Sequence, residues 1–407
     1  MAPAASSRGG TEADEQVLRI PVEELAVFTR AAFARCGLTG DDASAVADTL
    51  VQADLRGTYS HGAIRLPFLI GRVRKGGANP RPNVRVVQED LSTAVVDGDR
   101  ALGQIAAIRC MRIAMEKARR TGVGCAVARN SDFIGACAYY PMMALAADMI
   151  GVGWTNSFPG MAPWGGRTNK ICNNPLAVAV PTLRRSPIVL DMAMSVAAGG
   201  RVRLAAKKGE KIPTGWIVNK EGKNTDDPND LPRGGALLPL GYKGYGLAVI
   251  GEVLSGVLSG AKILDEIPMW FSNPESPVGN GHFHMAIDIA RFCEPAAFKA
   301  RMDQLIEILK GTPLMEGFQE ILVPGEPEAR KAAEQGVHGI QVPVPVLRDL
   351  IALGAELGVS TPRSFSMTKP EARVWAWRWK GVTRWRRALS SIPITTSWIR
   401  TASNTRG

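Results

Sequence analysis

Helical and strand patterns follow one another irregularly along this chain, and this irregular order constrains its fold more than any other feature. A doubly wound parallel sheet needs strands that alternate regularly with helices, and its dinucleotide-binding form carries G-x-G-x-x-G where a strand meets a helix. The chain has neither feature. Its middle, residues 161–195, is instead rich in Gly, Pro and Asn between apolar runs, which predicts strands joined by ordered turns.

Apolar residues at helical spacing, bounded by helix start and stop residues, predict several helices. Short β-branched runs between them predict strands, and the two types mix as in an α/β (α+β) protein. The predicted helices cover residues 21–37, 40–57, 103–122, 137–151, about 242–260, 295–310 and 344–357. The predicted strands are 84–87, 93–99, 123–130, 152–157 and the alternating 282–288.

The chain is expected to divide into three parts. Residues 1–17 are small, polar and charged and are predicted to be disordered. Residues 18–365, which carry the predicted helices and strands, are predicted to form the main folded unit. Residues 366–407 form a basic tail with nine Lys/Arg and one Glu, so +8 of the net charge of +11 belongs to the tail.

The tail interleaves Trp and Arg in "ARVWAWRWKGVTRWRR", a pattern that suits a membrane surface or nucleic acid. Trp375, Trp377 and Trp379 alternate with period two, however, whereas a membrane-surface helix needs period 3.6. The remaining body is nearly neutral. We therefore expect a poorly ordered appendage and a protein that binds neither nucleic acid nor membrane.

The N-terminus and the cysteines favour a cytoplasmic protein. "MAPAASSRGGTEADEQ" has no apolar h-region, and no uncharged apolar run reaches 18 residues. The cysteines form no C-x-x-C pair and lie mostly in apolar contexts, which predicts reduced, buried thiols. They are Cys36, Cys110, Cys125, Cys137, Cys172 and Cys293.

His61, in "TYSHGAIRLP", is the one histidine among the first 281 residues. Ser60 is suited to cap a helix that begins at His61, and Arg65 would then share a helix face with His61 at i, i+4. Such a pair makes chemical sense, because Arg65 could clamp a carboxylate while His61 exchanges a proton with a neighbouring oxygen. Pro67 disturbs this register, and spacing alone favours a capped structural turn equally.

Four other residues are weaker candidates when taken singly. Asp191 ends an apolar strand and could orient a histidine, or it could cap a turn. Lys243 lies between glycines that allow close approach of a ligand, or it is a surface lysine. His282 and His284 could form a metal pair, but no third ligand has a recognisable spacing, so strand packing is favoured and no metal is predicted.

Seven blocks occur in order: "ADLRGTYSHGAIRLP", "GMAPWGGRTNKICNNPLAVAVP", "IVLDMAMS", "IPTGW", "TDDP", "LLPLGYKGYGLAVIGEVLSGVLSGA" and "GHFHMAID". Together they resemble the type-2 malate/L-lactate dehydrogenase family, which includes ureidoglycolate and sulfolactate dehydrogenases and Δ1-piperideine-2-carboxylate reductases. The resemblance implies a non-Rossmann nicotinamide-binding fold with a mainly antiparallel sheet, a helical part from the chain ends, and a homodimer.

The resemblance also implies residue roles. Ser60, His61 and Asp191 match a serine–histidine–aspartate relay, and Arg65 matches the arginine that binds the substrate carboxylate. The positions that match contacts of an NAD or NADP cofactor are Ser157, Asp191, Met192, Ala193 and Lys243, together with Gly325 and Glu326.

Two positions depart from the family pattern. Many relatives have a histidine that faces the substrate where this chain has Phe133, in "RNSDFIGACAYY". Phenylalanine exchanges no proton and donates no hydrogen bond. Tyr59 stands where relatives often have Asp. Either His61 suffices for the chemistry, or the substrate is less polar, or activity is reduced.

The sequence therefore predicts an NAD(P)-dependent oxidoreductase that interconverts a small 2-hydroxy acid and its 2-oxo acid, with His61 as proton donor and acceptor. Alternatives are a cyclic-imine carboxylate reductase of the same family and a catalytically weakened homologue that binds cofactor.

Overall fold

The computed structural model of this protein describes residues 17–366. Residues 1–16 and 367–407 lie outside the described part. The N-terminal segment predicted to be disordered therefore lies outside it except for Val17, and the predicted tail lies outside it except for Ser366. Across the described part no helix is both long enough and apolar enough to cross a membrane.

The described chain forms helices and strands in mixed order. The α-helices are α1 Val22–Arg35, α2 Gly40–Leu55, α3 Leu66–Arg74, α4 Gly103–Thr121, α5 Tyr139–Met142, α6 Gly199–Lys208, α7 Gly241–Glu252, α8 Pro295–Lys310, α9 Glu326–His338 and α10 Val344–Leu357. The strands are β1 Val17–Ile20, β2 Arg85–Glu89, β3 Thr93–Asp97, β4 Val123–Ser131, β5 Met149–Thr155, β6 Leu176–Val180, β7 Ile188–Met192, β8 Ile217–Val218, β9 Asn224–Thr225, β10 Ala236–Leu237, β11 Asn280–Asp288 and β12 Ile340–Pro343.

A seven-stranded sheet in the order β2-β3-β4-β11-β5-β6-β7 is the main layer of the described chain. Of its neighbouring pairs, β3 with β4 is parallel and the others are antiparallel. The predicted mainly antiparallel sheet is therefore confirmed. Because β11 comes late in the chain but lies between β4 and β5, its central place requires a long connection rather than a hairpin.

The strand β11 is buried on both faces, although its sequence alternates polar and apolar residues. His282 and His284 are fully buried, as are most of their neighbours in the strand. Helix α4 packs against β3, β4 and β11, and its apolar side joins one core cluster with the sheet. A strand that is covered on both faces needs no exposed polar face. The alternation of polar and apolar residues in β11 therefore does not indicate that one face meets solvent.

Both ends of the described chain build a second, helical layer. Strand β1 pairs antiparallel with β12, with Val17 opposite Pro343. Residues of α1, α2, α3 and α10 then share one core, which includes Leu25, Phe28 and Leu347. The predicted helical part from the chain ends is thus confirmed, and it carries the segment around His61 between α2 and α3.

Several predicted elements differ from the structure. The predicted helix 137–151 is only α5 followed by a 3-10 turn, and β5 begins at Met149 within it. Helices α6 and α9 were not predicted. The long helix near 242–260 is α7 continued by a π-helical turn, Val253–Val257. The cysteines are free; three are buried as predicted, but Cys36 and Cys125 are only half-buried and Cys293 is exposed.

Candidate functional site

Two short 3-10 turns, Tyr59–His61 and Ala63–Arg65, connect α2 to α3, and we call residues 58–65 the site turn. The predicted helix capped by Ser60 is wrong: Thr58 precedes the first turn, and the α-helix begins only at Leu66. Gly62 separates the two turns with an extended ψ of −146°. His61 and Arg65 therefore do not share a face of one helix, and the i, i+4 prediction is wrong for the same reason.

A buried carboxylate, Asp54, holds the site turn from behind. Its Oδ2 accepts a hydrogen bond of 2.7 Å from the backbone N–H of Ala63. A Cβ on Gly62 would lie 1.8 Å from Oδ1 of Asp54, so only glycine fits there. Burial raises the pKa of Asp54 to about 7, against the lowering by the hydrogen bond from Ala63. The role of Asp54 could not be predicted from the sequence, because nothing in the α2 pattern separates it from a surface carboxylate.

His61 is half-buried and has a polar partner on one side and a ring on the other. Its Nδ1 lies 2.8 Å from Oγ of Ser60. Its imidazole stacks on the ring of Phe133, with centroids 5.8 Å apart and planes inclined by 29°. Burial and, to a smaller extent, the nearby positive charge of Arg65 together lower the pKa of His61 to about 4. The imidazole is therefore neutral at pH 7 and able to accept a proton.

Arg65 turns back onto the site turn. Its Nε donates a hydrogen bond of 2.7 Å to the carbonyl oxygen of Ser60. Its guanidinium carbon lies 5.9 Å from the ring centroid of Phe133 and 5.4 Å from that of Phe271. Burial lowers its pKa, and so does the positive charge of Arg203 on α6. Rings hold the guanidinium by cation–π contact without satisfying its donors, so a carboxylate can still bind it.

Phe133 follows β4 at a position fixed by a buried ion pair. Its backbone N–H donates to Oδ1 of Asp132, 2.6 Å away. Oδ2 of Asp132 in turn lies 2.6 Å from an Nη of Arg72, and both side chains are almost fully buried. Breaking such a pair leaves an uncompensated buried charge, which costs about 3–5 kcal/mol. The place of the Phe133 ring beside His61 is therefore strongly determined.

Asp191 has other partners than His61. Its carboxylate accepts a hydrogen bond of 2.9 Å from the backbone N–H of Ala138. Burial raises its pKa to about 6, whereas Arg56 lowers it and Glu328 raises it. The residue nevertheless keeps a large solvent-accessible area. The structure thus pairs Ser60 with His61 and places Asp191 among different residues.

The other predicted cofactor positions lie around the end of β7. Met192 ends this strand and Ala193 follows it. Leu240, just before α7, donates its N–H to the carbonyl of Met194, which brings the helix start with exposed Lys243 near these residues. Ser157 lies half-buried after β5.

Gly325 lies against the same strand, β7. Its φ is +83°, and a Cβ there would lie 2.7 Å from the carbonyl oxygen of Val189. The carboxylate of Glu326 is held by Lys310 and Arg330, and these hydrogen bonds lower its pKa to about 2 against the effect of burial. The carboxylate of Glu326 is thus bound by two cationic side chains of the protein.

The two histidines of β11, His282 and His284, are fully buried in the sheet and are not part of the site turn. His282 lies 2.9 Å from Oγ1 of Thr155 and 2.8 Å from Oγ of Ser131. Neither ring nitrogen of His284 has a hydrogen-bond partner within the described residues. Among residues 17–366 no three or more His, Cys, Asp and Glu side chains are placed to hold a metal ion.

Three further residues of the site, Arg203, Trp270 and Phe271, were not predicted from the sequence. Arg203 belongs to α6, which was not predicted, and the two aromatic residues lie in the irregular segment between α7 and β11. Only the adjacent aromatic letters in "PMWFSNP" could have drawn attention to that segment.

Comparison with known proteins gives one consistent result. The family model described as malate/L-lactate dehydrogenase matches residues 20–351. The malate dehydrogenase of Pyrococcus horikoshii is 38% identical over 358 residues, which are 85% of this chain and 97% of that protein. The L-sulfolactate dehydrogenase of Methanocaldococcus jannaschii is 38% identical over 325 residues, 80% of this chain and 93% of that protein. The solved structure of the P. horikoshii enzyme superimposes with a TM-score of 0.79 at 36% identity, covering 87% of this chain and 99% of that one.

Proposed function

The chain belongs to the malate/L-lactate dehydrogenase family, and from this membership we propose that it is an NAD(P)-dependent oxidoreductase that interconverts a 2-hydroxy acid and its 2-oxo acid. The observation that carries this proposal is the site turn, where an imidazole and a guanidinium lie together beside aromatic rings. One group handles a proton and the other binds a carboxylate, which are the two tasks that this reaction sets for the protein.

His61 is the proposed acid–base group. In the oxidative direction its neutral imidazole accepts the proton of the substrate hydroxyl. For Nε2 to accept that proton, Nδ1–H must donate to Oγ of Ser60, and this hydrogen bond would fix the tautomer and the orientation of the ring. In the reductive direction the imidazolium returns the proton to the oxygen of the 2-oxo acid.

Arg65 is the proposed carboxylate clamp, and its charge connects binding to proton transfer. The positive charge of Arg65 is one of the two causes that lower the pKa of His61. A bound carboxylate neutralises that charge, so substrate binding raises the pKa of His61 toward the working pH. A general base is most effective when its pKa lies near that pH.

The residues around the end of β7 suit a nicotinamide cofactor, which would accept or donate the hydride. The accessible Asp191 carboxylate can accept further hydrogen bonds, as ribose hydroxyls would require. Gly325 approaches Val189 of β7 closely, and this contact holds the loop before α9 against that strand. We propose Ser157, Asp191, Met192, Ala193, Lys243 and Gly325 as the cofactor contacts, with Glu326 as the residue that fixes the loop.

Phe133 motivates the second candidate function, a homologue that binds cofactor but has little activity. Reduction of a cyclic imine carboxylate remains a third candidate, because His61 could equally protonate an imine nitrogen. A homodimer is part of the proposal and rests on the family resemblance.

The test combines cofactor binding with substitution of the clamp. We expect NADH or NADPH to bind in calorimetry and to raise the melting temperature. Arg65→Lys keeps the charge but loses the two-point grip, so kcat/KM should fall about 10- to 100-fold with cofactor affinity unchanged. Arg301→Lys, an exposed position on α8, is the matched control. If neither cofactor binds at millimolar concentration, the proposed function is wrong.

A further inference from the structure

Five aromatic side chains form a continuous patch beside the site turn, and we call Phe68, Phe133, Phe158, Trp270 and Phe271 the aromatic wall. Trp270 is its centre, with ring centroids 5.0 Å from Phe68, 5.1 Å from Phe133 and 5.2 Å from Phe158. The Phe271 ring lies 4.0 Å from the Trp270 ring. The five residues come from α3, from the segments just after β4 and β5, and from the segment before β11.

The aromatic wall borders both groups of the proposed reaction. Phe133 stacks on the imidazole of His61. Phe133 and Phe271 lie within 6 Å of the guanidinium carbon of Arg65, at 5.9 and 5.4 Å. A molecule whose carboxylate binds Arg65 therefore has the faces of these rings as neighbours for its remaining atoms.

The wall is preformed and partly open. Trp270 is 3% exposed and packs with Ile267 and Val278 in a small core of its own. Phe271 is 41% exposed, so part of its surface is available to a ligand. A rigid support with an open face loses little conformational entropy on binding, which is the usual property of a specificity pocket.

The chemistry of the wall selects among 2-hydroxy acids. Phenylalanine rings offer no hydrogen-bond donor, so a second carboxylate placed against them would lose water without gaining a partner. An aryl or branched alkyl group would instead bury apolar surface and gain ring contacts. We propose that this protein selects 2-hydroxy and 2-oxo monocarboxylic acids with a bulky apolar side chain, preferably aryl. This selection rests on the proposed function.

Arg203 favours the alternative, a substrate with two carboxylates. Its positive charge is close enough to lower the pKa of Arg65, and its side chain is exposed on α6. A dicarboxylic substrate that bound both guanidinium groups would turn away from the aromatic wall. The test therefore compares an apolar with a second-carboxylate side chain directly.

The binding test uses two acids that lack the reacting hydroxyl, 3-phenylpropionate and succinate, on the full chain with reduced cofactor present. Calorimetry should show 3-phenylpropionate binding about 10- to 100-fold more tightly, as expected for burying one aromatic ring. Phe271→Ala should weaken 3-phenylpropionate about 10-fold more than it weakens propionate, because the Phe271 ring also borders the Arg65 guanidinium, to which both carboxylates would bind. The control is Phe292→Ala, an exposed phenylalanine after β11. Tighter binding of succinate, or an unchanged affinity in Phe271→Ala, would overturn the proposal.

Turnover separates this proposal from the proposed function. The kcat/KM for phenyllactate should exceed that for malate by about 10-fold or more, and Phe133→His should reduce this ratio by adding a polar group to the wall. Oxidation of malate in preference to phenyllactate would overturn the apolar selection while leaving the dehydrogenase proposal in place. Selective binding of 3-phenylpropionate without turnover of any 2-hydroxy acid would support the wall and overturn the dehydrogenase proposal.

Discussion

The site turn and the centre of β11 each contain histidine whose pKa is lowered by burial, and their contrast shows what distinguishes the proposed reacting group, His61, from a packed histidine. Burial lowers the pKa of His61 to about 4 and that of His282 and His284 to about 3. The direction and the main cause are the same. A lowered histidine pKa therefore does not by itself identify a functional site.

Access and partners make the difference. His61 is half-buried, lies beside the charged Arg65 and borders an aromatic wall that is partly open. The β11 histidines are inside the sheet, where His282 is held by two hydroxyls and His284 contacts the ring of Tyr140 at 5.3 Å. A proton can reach the first group and a ligand can contact it, whereas the other two contribute through packing.

The largest expected effect is the loss of turnover in His61→Ala. A missing general acid–base group lowers kcat by about 10²–10⁴-fold. His284→Phe should keep turnover within about twofold, because His284 lies in the sheet away from the site turn. Steady-state kinetics on one good substrate compares the two variants. A similar loss of kcat in both would mean that the contrast between the regions is wrong.

The next effect concerns how the site turn is held. In Gly62→Ala the new Cβ would collide with Asp54, so the turn must shift. A shift of about 1 Å at a reacting group can cost about 10²-fold in kcat/KM. Gly71→Ala on α3 has no atom within 4 Å of its Cβ and serves as the matched control. Full activity of Gly62→Ala would show that Asp54 does not position His61.

The same contrast explains what the sequence could predict. Periodicity located α4, α8 and α10, because each has a long apolar face, and the motif order identified the family. The sequence predicts a helix where the site turn lies. The shape of the turn depends on Asp54, which is several residues distant and looks like a surface carboxylate in the sequence. The aromatic wall consists of residues from four separate segments, and no local sequence pattern predicts that these residues contact one another.

Glu326 and Asp191 show what a motif match leaves open. The resemblance implies that Glu326 contacts the cofactor, and the structure adds that Lys310 and Arg330 bind its carboxylate. For Asp191 it adds a hydrogen bond from Ala138 and the nearby charges of Arg56 and Glu328. Motif order identifies positions, whereas the partner of each side chain follows only from the fold.

A smaller effect is expected on stability at the centre of the sheet. His284→Phe removes two ring nitrogens that lack protein partners, and it should raise the free energy of unfolding by about 1 kcal/mol at pH 7.5. Urea unfolding followed by circular dichroism measures this change. A clear loss of stability would mean that the imidazole nitrogens of His284 are satisfied in the native protein.

The gain should increase as the pH falls. The folded-state pKa of His284 lies below its unfolded value, so this residue's contribution to stability is intact above about pH 6.5 and declines as the pH falls toward 3. The decline is about 1.4 kcal/mol per pH unit for one histidine. Asp54 and Asp191, whose pKa values are raised, act in the opposite direction. The difference between wild type and His284→Phe isolates the histidine, and an unchanged difference between pH 7 and 5 would contradict its neutral burial.

The central claim is that His61 transfers the substrate proton, and chemical rescue of His61→Ala tests it most directly. The substitution leaves a space beside Phe133, so added imidazole should raise kcat of His61→Ala in a concentration-dependent way while leaving Arg65→Lys unchanged. In the oxidative direction neutral imidazole must accept the proton, so we expect the rescued rate of 2-hydroxy acid oxidation to increase with pH through the pKa of free imidazole. Wild-type turnover in His61→Ala without imidazole, or a loss that imidazole does not reduce at any pH, would contradict the claim.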